Sequence, residues 1–94
     1  MDKKIVSLLS QYEMLEEEIE QCFNLCPGLE IVDVNKAQTC INLLIERGYP
    51  NEDIGLLLAV NPAILMYEPN SLATKLVSIR GDIEEILKAD PFAI

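Results

Sequence analysis

The sequence of 94 residues contains no histidine and no tryptophan. Without histidine it has no side chain whose ordinary pKa lies near neutral pH, and it shows no motif for an activated nucleophile. It holds only four glycines, and none forms a glycine-rich phosphate loop. We therefore expect no catalytic residue, no cofactor and no enzymatic activity.

Cysteine is also scarce, with Cys22, Cys26 and Cys40 as the only three. An odd number does not suit a disulfide framework of the kind found in secreted domains. A structural zinc site takes four cysteine or histidine ligands, and this chain has three candidates in all. We expect reduced thiols that serve as small core residues, and no metal site.

Basic residues are few, since seven lysines and arginines stand against sixteen acidic residues and give a net charge of −9. Residues 1–34 alone contain eight acidic residues and two lysines. A field of this sign repels phosphate backbones and anionic membranes, and it favours a basic protein partner. Solubility alone is the simpler explanation of the same charge.

Long apolar runs are missing as well. The longest uninterrupted one covers residues 56–60, far short of the roughly twenty residues that cross a bilayer. Near the N-terminus, Ser7, Ser10 and Gln11 interrupt the apolar residues, so the segment does not resemble a secretory signal. We expect a cytoplasmic protein without a membrane partner.

What the sequence does contain is a repeat. An acidic residue followed by isoleucine precedes a proline at the same interval in residues 18–27, 53–62 and 82–91. In each copy, apolar residues lie three and four positions after the isoleucine, which is the spacing of one helix face. Proline cannot continue a helix and disfavours helical geometry in the residue before it. The pattern predicts helices that end near residues 25, 60 and 89, with a short 3₁₀ turn at 62–66.

A second type of helix precedes the acidic-isoleucine element. Asn35 and Gln38 resemble a capping box, and Gly48 closes the predicted helix. In the following unit the predicted cap is Asn70 or Ser71, and Arg80-Gly81 ends the helix. Residues 3–26 keep helical spacing throughout; one long helix is the first interpretation, and a break near Ser10 is the alternative.

Residues 44–54 and 61–65 together resemble the repeat of the mitochondrial transcription termination factor (mTERF) family, as a short bacterial-type or divergent member. The match is good over 35–67, fair over 71–94 and weak before 34. It implies an all-α fold, a short right-handed α-solenoid-like array of helix–turn–helix–Pro units within a single domain of residues 1–94. The units are approximately 3–34, 35–69 and 70–94. The resemblance also implies nucleic-acid binding on a basic concave face, which this acidic chain does not supply in full.

Five residues are candidates for contact with a partner. Arg47, Lys75 and Arg80 are placed to form a small anion-contacting edge; the alternative is that the arginines stabilise helix C-termini, worth about 0.3–1 kcal/mol each. Tyr49 and Tyr67 are candidate interface anchors, because tyrosine is common in binding hot spots; the alternative is that they cover the edge of the core.

The sequence as a whole predicts a non-catalytic helical-repeat binding module, most of all for protein–protein interaction, with nucleic-acid binding as the alternative. The partner is another protein or a second copy of the chain, since a repeat that ends at Pro91 exposes an apolar end. The predicted core consists of Ile19, Phe23, Ile41, Leu44, Ile45, Ile54, Leu57, Leu58, Leu65, Leu76, Ile79, Ile83, Ile86 and Leu87.

Overall fold

Six α-helices build the protein, according to a computed structural model that describes residues 1–94. The helices are α1 (Lys3–Ser10), α2 (Glu16–Leu25), α3 (Val34–Glu46), α4 (Ile54–Val60), α5 (Pro69–Ser78) and α6 (Ile83–Ala89). Three 3₁₀ segments accompany them, at Pro27–Ile31, Asn51–Asp53 and Pro62–Met66. There is no β-strand, so the predicted all-α class is confirmed.

The three prolines end their helices where the sequence predicts. Helices α2, α4 and α6 stop at residues 25, 60 and 89, and the next residue in each case is Cys26, Asn61 or Asp90. Each of these three residues donates its backbone N–H to the carbonyl four residues earlier, at 2.9 Å in all three helices. The following proline then begins a 3₁₀ segment at Pro27–Ile31 and at Pro62–Met66. The local backbone is thus closely similar at the three sites.

The predicted starts of two helices are two or three residues too late. Helix α3 begins at Val34, because the Asp33 carboxylate accepts from the backbone N–H of Asn35 at 2.8 Å and of Lys36 at 3.3 Å. Helix α5 begins at Pro69, whose missing N–H needs no partner in a first turn. Helix α5 also ends at residue 78, before the arginine–glycine pair that was predicted to end it.

The first interpretation of residues 3–26 as one long helix is wrong, since residues 11–15 form a loop between α1 and α2. Tyr12 donates its backbone N–H to the Leu9 carbonyl at 3.0 Å, which closes the end of α1. Met14 is buried in the loop, whereas Leu15 is exposed. Apolar residues therefore continue through the loop at near-helical spacing, although only some of them reach the core.

A backbone conformation unusual for an L-residue makes this loop possible. Glu13 has φ +61°, in the left-handed region, and Gly48 in the loop after α3 has φ +104°. Each lies six residues before an isoleucine of the repeat, Ile19 or Ile54. The same bend is therefore made by glycine in one unit and by glutamate in the other, where the Cβ atom makes it unfavourable.

We expect Glu13→Gly to raise the free energy of unfolding by about 0.5–1 kcal/mol, because relief of the left-handed strain exceeds the added freedom of glycine in the unfolded chain. Urea unfolding of the two proteins measures the difference. Glu13→Ala is the matched control: it removes the same charge but keeps the Cβ atom, and should give no gain. Equal stabilisation by both variants would show that the charge, and not the backbone, is responsible.

The helices lie in two layers. Helix α3 packs between α1 and α5 in one layer, and α2 packs against α4 in the other. Helix α6 is joined to the second layer by an ion pair of 2.7 Å between Lys88 and Asp53 and by a hydrogen bond of 2.9 Å from the Asn61 side chain to the Pro91 carbonyl. Every helix is too short or too polar to cross a bilayer.

One continuous core of 23 buried residues fills the space between the layers. Eleven of the fourteen predicted core residues belong to it. Ile45, Ile79 and Ile86 are only half-buried; Ile79 directly follows α5, and Ile86 lies in α6. The predicted list therefore covers eleven of the 23 core residues and leaves out the other twelve, Ile5, Leu8 and Leu9 of α1 among them.

Candidate functional site

The two arginines of the predicted anion-contacting edge are exposed and unpaired. Arg47 directly follows α3, and Arg80 comes two residues after the end of α5. Neither side chain forms an ion pair or a hydrogen bond within the protein. Both are therefore free to bind an anion, and Arg47 also lies at the negative end of the α3 dipole.

Lys75 lies next to an aromatic ring. Its Nζ lies 5.7 Å from the centre of the Tyr67 ring, within the range of a cation–π interaction. Tyr67 is half-buried just before α5, so its ring supports the lysine from the side of the preceding 3₁₀ segment. Lys75 and Tyr67, two of the five candidates for contact with a partner, therefore lie in contact with each other.

Tyr49 belongs to the core, with only 3% of its surface exposed. It lines a depression between α4 and α6 together with Asp53, Leu87 and Lys88. Burial raises the pKa of the Tyr49 phenol, and the charge of Lys88 acts in the opposite direction. The ring therefore covers the edge of the core, which was the alternative interpretation of this residue.

Lys88 crosslinks two elements around this depression. Its Nζ lies 2.7 Å from carboxylate oxygens of both Asp53 and Glu84, and these hydrogen bonds raise its pKa above the ordinary value for lysine. Both carboxylates are therefore largely committed to the lysine. The depression between α4 and α6 offers no unpaired charge.

The three cysteines are free thiols, of which Cys22 and Cys40 are buried and Cys26 is half-buried. Burial raises the pKa of Cys22 to about 11, with further contributions from Glu18 and Cys26. The Cys22 thiol donates to the Leu58 carbonyl at 3.4 Å, where α2 meets α4. No three acidic, cysteine or histidine side chains are grouped so as to hold a metal ion.

The pKa of Cys22 has a consequence for alkaline stability. Folding favours its protonated form, so the stabilisation is complete below the unfolded pKa near 9 and is lost as the pH rises towards 11. We expect the Cys22 contribution to fall by about 2 kcal/mol between pH 8 and pH 10.5. Urea unfolding at both pH values measures it, and Cys22→Val serves as the control. A pH dependence identical in the two proteins would contradict the assignment.

A surface that the sequence analysis did not single out is formed by α4. Leu56 and Val60 are one helical turn apart and are 65% and 47% exposed. Leu25 is 54% exposed and has the corresponding place in α2, as the last residue before the helix ends. We call Leu56 and Val60 the α4 face. Exposed leucines and valines on adjacent helices are typical of surfaces that bind a partner.

A depression with three carboxylates borders the α4 face. Its lining consists of Tyr12, Glu13, Met14, Glu18, Glu52, Gly55 and Leu56. We call it the acidic depression, because it contains no basic residue. None of the three carboxylates forms an ion pair, and Glu18 alone has a hydrogen bond, accepted from the Leu15 backbone N–H at 2.8 Å. Apolar and anionic groups therefore lie side by side, exposed to solvent.

The sequence holds a signal for this surface. Helix α4 consists of Ile-Gly-Leu-Leu-Leu-Ala-Val and has no polar residue, so the core can cover only part of it. Ile54, Leu57 and Leu58 point to the core, which leaves Leu56 and Val60 on the opposite side. The run at 56–60 is too short for a membrane span, and within it the spacing predicts Leu57 and Leu58 as core residues. A helix with one side in solvent normally has polar residues on that side, and their absence from this run is the signal for an exposed apolar surface.

These features define a small all-helical protein with two unpaired arginines, a buried set of thiols and one apolar, acid-bordered face. Comparison of the chain with protein-family models, with curated proteins and with solved structures finds no match. The resemblance to the mTERF repeat therefore stays a prediction from the motif.

Proposed function

We propose that this chain is a non-catalytic helical-repeat module that binds another protein. The observation that carries the proposal is the α4 face, where Leu56 and Val60 are largely exposed on a helix without polar residues. Full burial of such a side chain stabilises by about 1.5–3 kcal/mol, so covering the part that is still exposed in a partner provides about 1–2 kcal/mol for each. A protein surface of complementary shape recovers it.

The repeat interpretation belongs to the same proposal. The matching ends of α2, α4 and α6, and the contacts of α3 with both α1 and α5, support a short solenoid of three helical pairs. In such an array, equivalent positions of successive helices form a continuous surface, and the exposed Leu25 of α2 has the same place in the repeat as Val60 of α4. The units at about 3–34, 35–69 and 70–94 are part of this proposal.

Affinity capture with matched variants tests the function. The tagged wild type, the double variant Leu56→Gln/Val60→Gln and the control Val77→Gln are incubated with extract from the source cells, and bound proteins are quantified by mass spectrometry. Val77 is 74% exposed on α5, away from the α4 face. The proposal expects at least one protein that the double variant loses and the control retains. Identical captured sets for all three proteins would refute it.

Nucleic-acid binding is the second candidate, favoured by the exposed and unpaired Arg47 and Arg80 and by the mTERF-like motif. Two cations against a net charge of −9 supply few phosphate contacts. If this function holds, replacing both arginines by alanine weakens binding and flattens its dependence on salt. Binding that the double replacement leaves unchanged would exclude this edge as the site.

A further inference from the structure

The α4 face and the acidic depression together indicate the chemistry of the partner. Leu56 belongs to both: it is exposed on the α4 face and it forms one wall of the depression. Beside it lie the unpaired carboxylates of Glu13, Glu18 and Glu52. Leu56 also lines the depression that contains Lys88, and a ligand that covers Leu56 from the side of the acidic depression meets these carboxylates.

Lys88 does not neutralise these three carboxylates. Lys88 lies in the other depression along α4, and both of its ion pairs, to Asp53 and Glu84, are already made. An apolar partner without charge, or one with acidic residues, would bury the three carboxylates unpaired, which is costly. A partner with lysine or arginine next to its apolar residues instead pairs with them.

The shape of the surface favours a helix as the partner. Leu56 and Val60 are spaced by one helical turn and form an apolar stripe on α4. Apolar side chains at positions i, i+3 and i+4 of a docked helix match such a stripe. Met14 in the depression adds an unbranched, adaptable side chain to the wall, which suits an incoming apolar residue.

We infer that the α4 face and the acidic depression bind a basic amphipathic helix of another protein, whose apolar side covers Leu56 and Val60 while its cations pair with Glu18 and Glu52. This inference rests on the proposed function and specifies its partner. A second copy of the chain does not fit, because its own α4 face would bring the same carboxylates into opposition.

A labelled model peptide tests the inference directly. The probe is a fluorescein-labelled leucine–lysine peptide of about eighteen residues with amphipathic helical spacing, compared with a peptide of the same composition in scrambled order and with one in which glutamate replaces each lysine. Binding to the full chain is measured by fluorescence anisotropy at about 50 mM and 500 mM salt. We expect the amphipathic peptide to bind about tenfold more tightly than the scrambled one, and the acidic peptide not to bind.

Variants distinguish binding at this surface from attraction by the net charge of the protein. Leu56→Gln/Val60→Gln should weaken binding about tenfold, and Glu18→Gln/Glu52→Gln about fivefold at low salt, with the second effect lost at high salt. The control Glu46→Gln/Glu85→Gln removes the same charge from other exposed positions and should change the affinity by less than about twofold. Glutamine at position 18 keeps an acceptor for the Leu15 N–H, so α2 retains its cap.

Several outcomes would overturn the inference. Equal losses in the control and in Glu18→Gln/Glu52→Gln would mean that net charge alone attracts the peptide. No binding of the amphipathic peptide, while capture still finds a protein that needs Leu56 and Val60, would refute the basic helix and leave the proposed function standing. A wild type that is dimeric by light scattering, with a monomeric Leu56→Gln/Val60→Gln variant, would identify a second copy as the occupant.

Discussion

Gly55→Ala is expected to lower the free energy of unfolding by about 2–3 kcal/mol, although alanine is the better helix former. A Cβ atom at this position collides with the backbone carbonyl oxygen of Tyr12 and comes within 3.0 Å of the Met14 side chain. A carbonyl in the loop between α1 and α2 cannot rotate away as a flexible side chain can. The loop must therefore move off α4, which also exposes Met14.

Urea unfolding measures this loss, and Ser7→Ala is the control. Ser7 is exposed within α1, so its replacement reports helix propensity without a clash and should raise stability by a few tenths of a kcal/mol. A gain in stability for Gly55→Ala, similar to that of the control, would contradict the close approach of the loop to α4. The acidic depression would then have a different geometry, because Gly55 lies in its lining.

Asn61→Ala should cost about 1–3 kcal/mol, since Asn61 is the one polar residue in the buried set and is 5% exposed. Its side-chain N–H donates to the Pro91 carbonyl at 2.9 Å and fastens the C-terminal residues to the end of α4. Without it the carbonyl loses its partner and a small void opens. Chemical denaturation measures the loss in free energy of unfolding. The Ala93 amide bonds to the Asp90 carbonyl, and faster hydrogen exchange of this amide would show that the loss is at the C-terminal residues.

Asn61→Asp tests the same hydrogen bond, because it keeps the size of the side chain and removes the N–H that donates. The introduced carboxylate has no proton to donate and would be buried near a carbonyl oxygen, so its pKa should rise in the folded state. The variant should therefore be closer to wild type at pH 4 than at pH 7. Asn24→Ala, at an exposed position of α2, is the control and should have little effect. If replacement of Asn61 lowers the free energy of unfolding no more than replacement of Asn24, the hydrogen bond to Pro91 does not hold the C-terminal residues against α4.

The sequence predicted best what depends on proline and on helix periodicity. The ends of α2, α4 and α6 follow directly from a proline two residues later, because proline breaks a helix regardless of its surroundings. The buried side chains follow from spacing, since the inner face of each helix repeats. Both signals are local, so a single sequence suffices to show them.

What could not be predicted depends on contacts between distant parts of the chain. The loop at 11–15 bends at a glutamate instead of a glycine, and its contact with Gly55 joins residues about forty positions apart. The α3 cap is Asp33 and not the predicted Asn35, so the helix starts two residues earlier than the capping-box pattern indicates. Lys75 was predicted at an anion-contacting edge, and its distance from the Tyr67 ring is a property of the folded chain.

The most direct test of the account is fluorescence anisotropy of labelled duplex DNA and single-stranded RNA with the wild-type protein at about 50 mM and 200 mM salt. A protein-binding module with a net charge of −9 and two unpaired arginines should bind neither nucleic acid, even at the lower salt concentration. Micromolar or tighter binding that weakens steeply with salt would contradict the account and establish the nucleic-acid function.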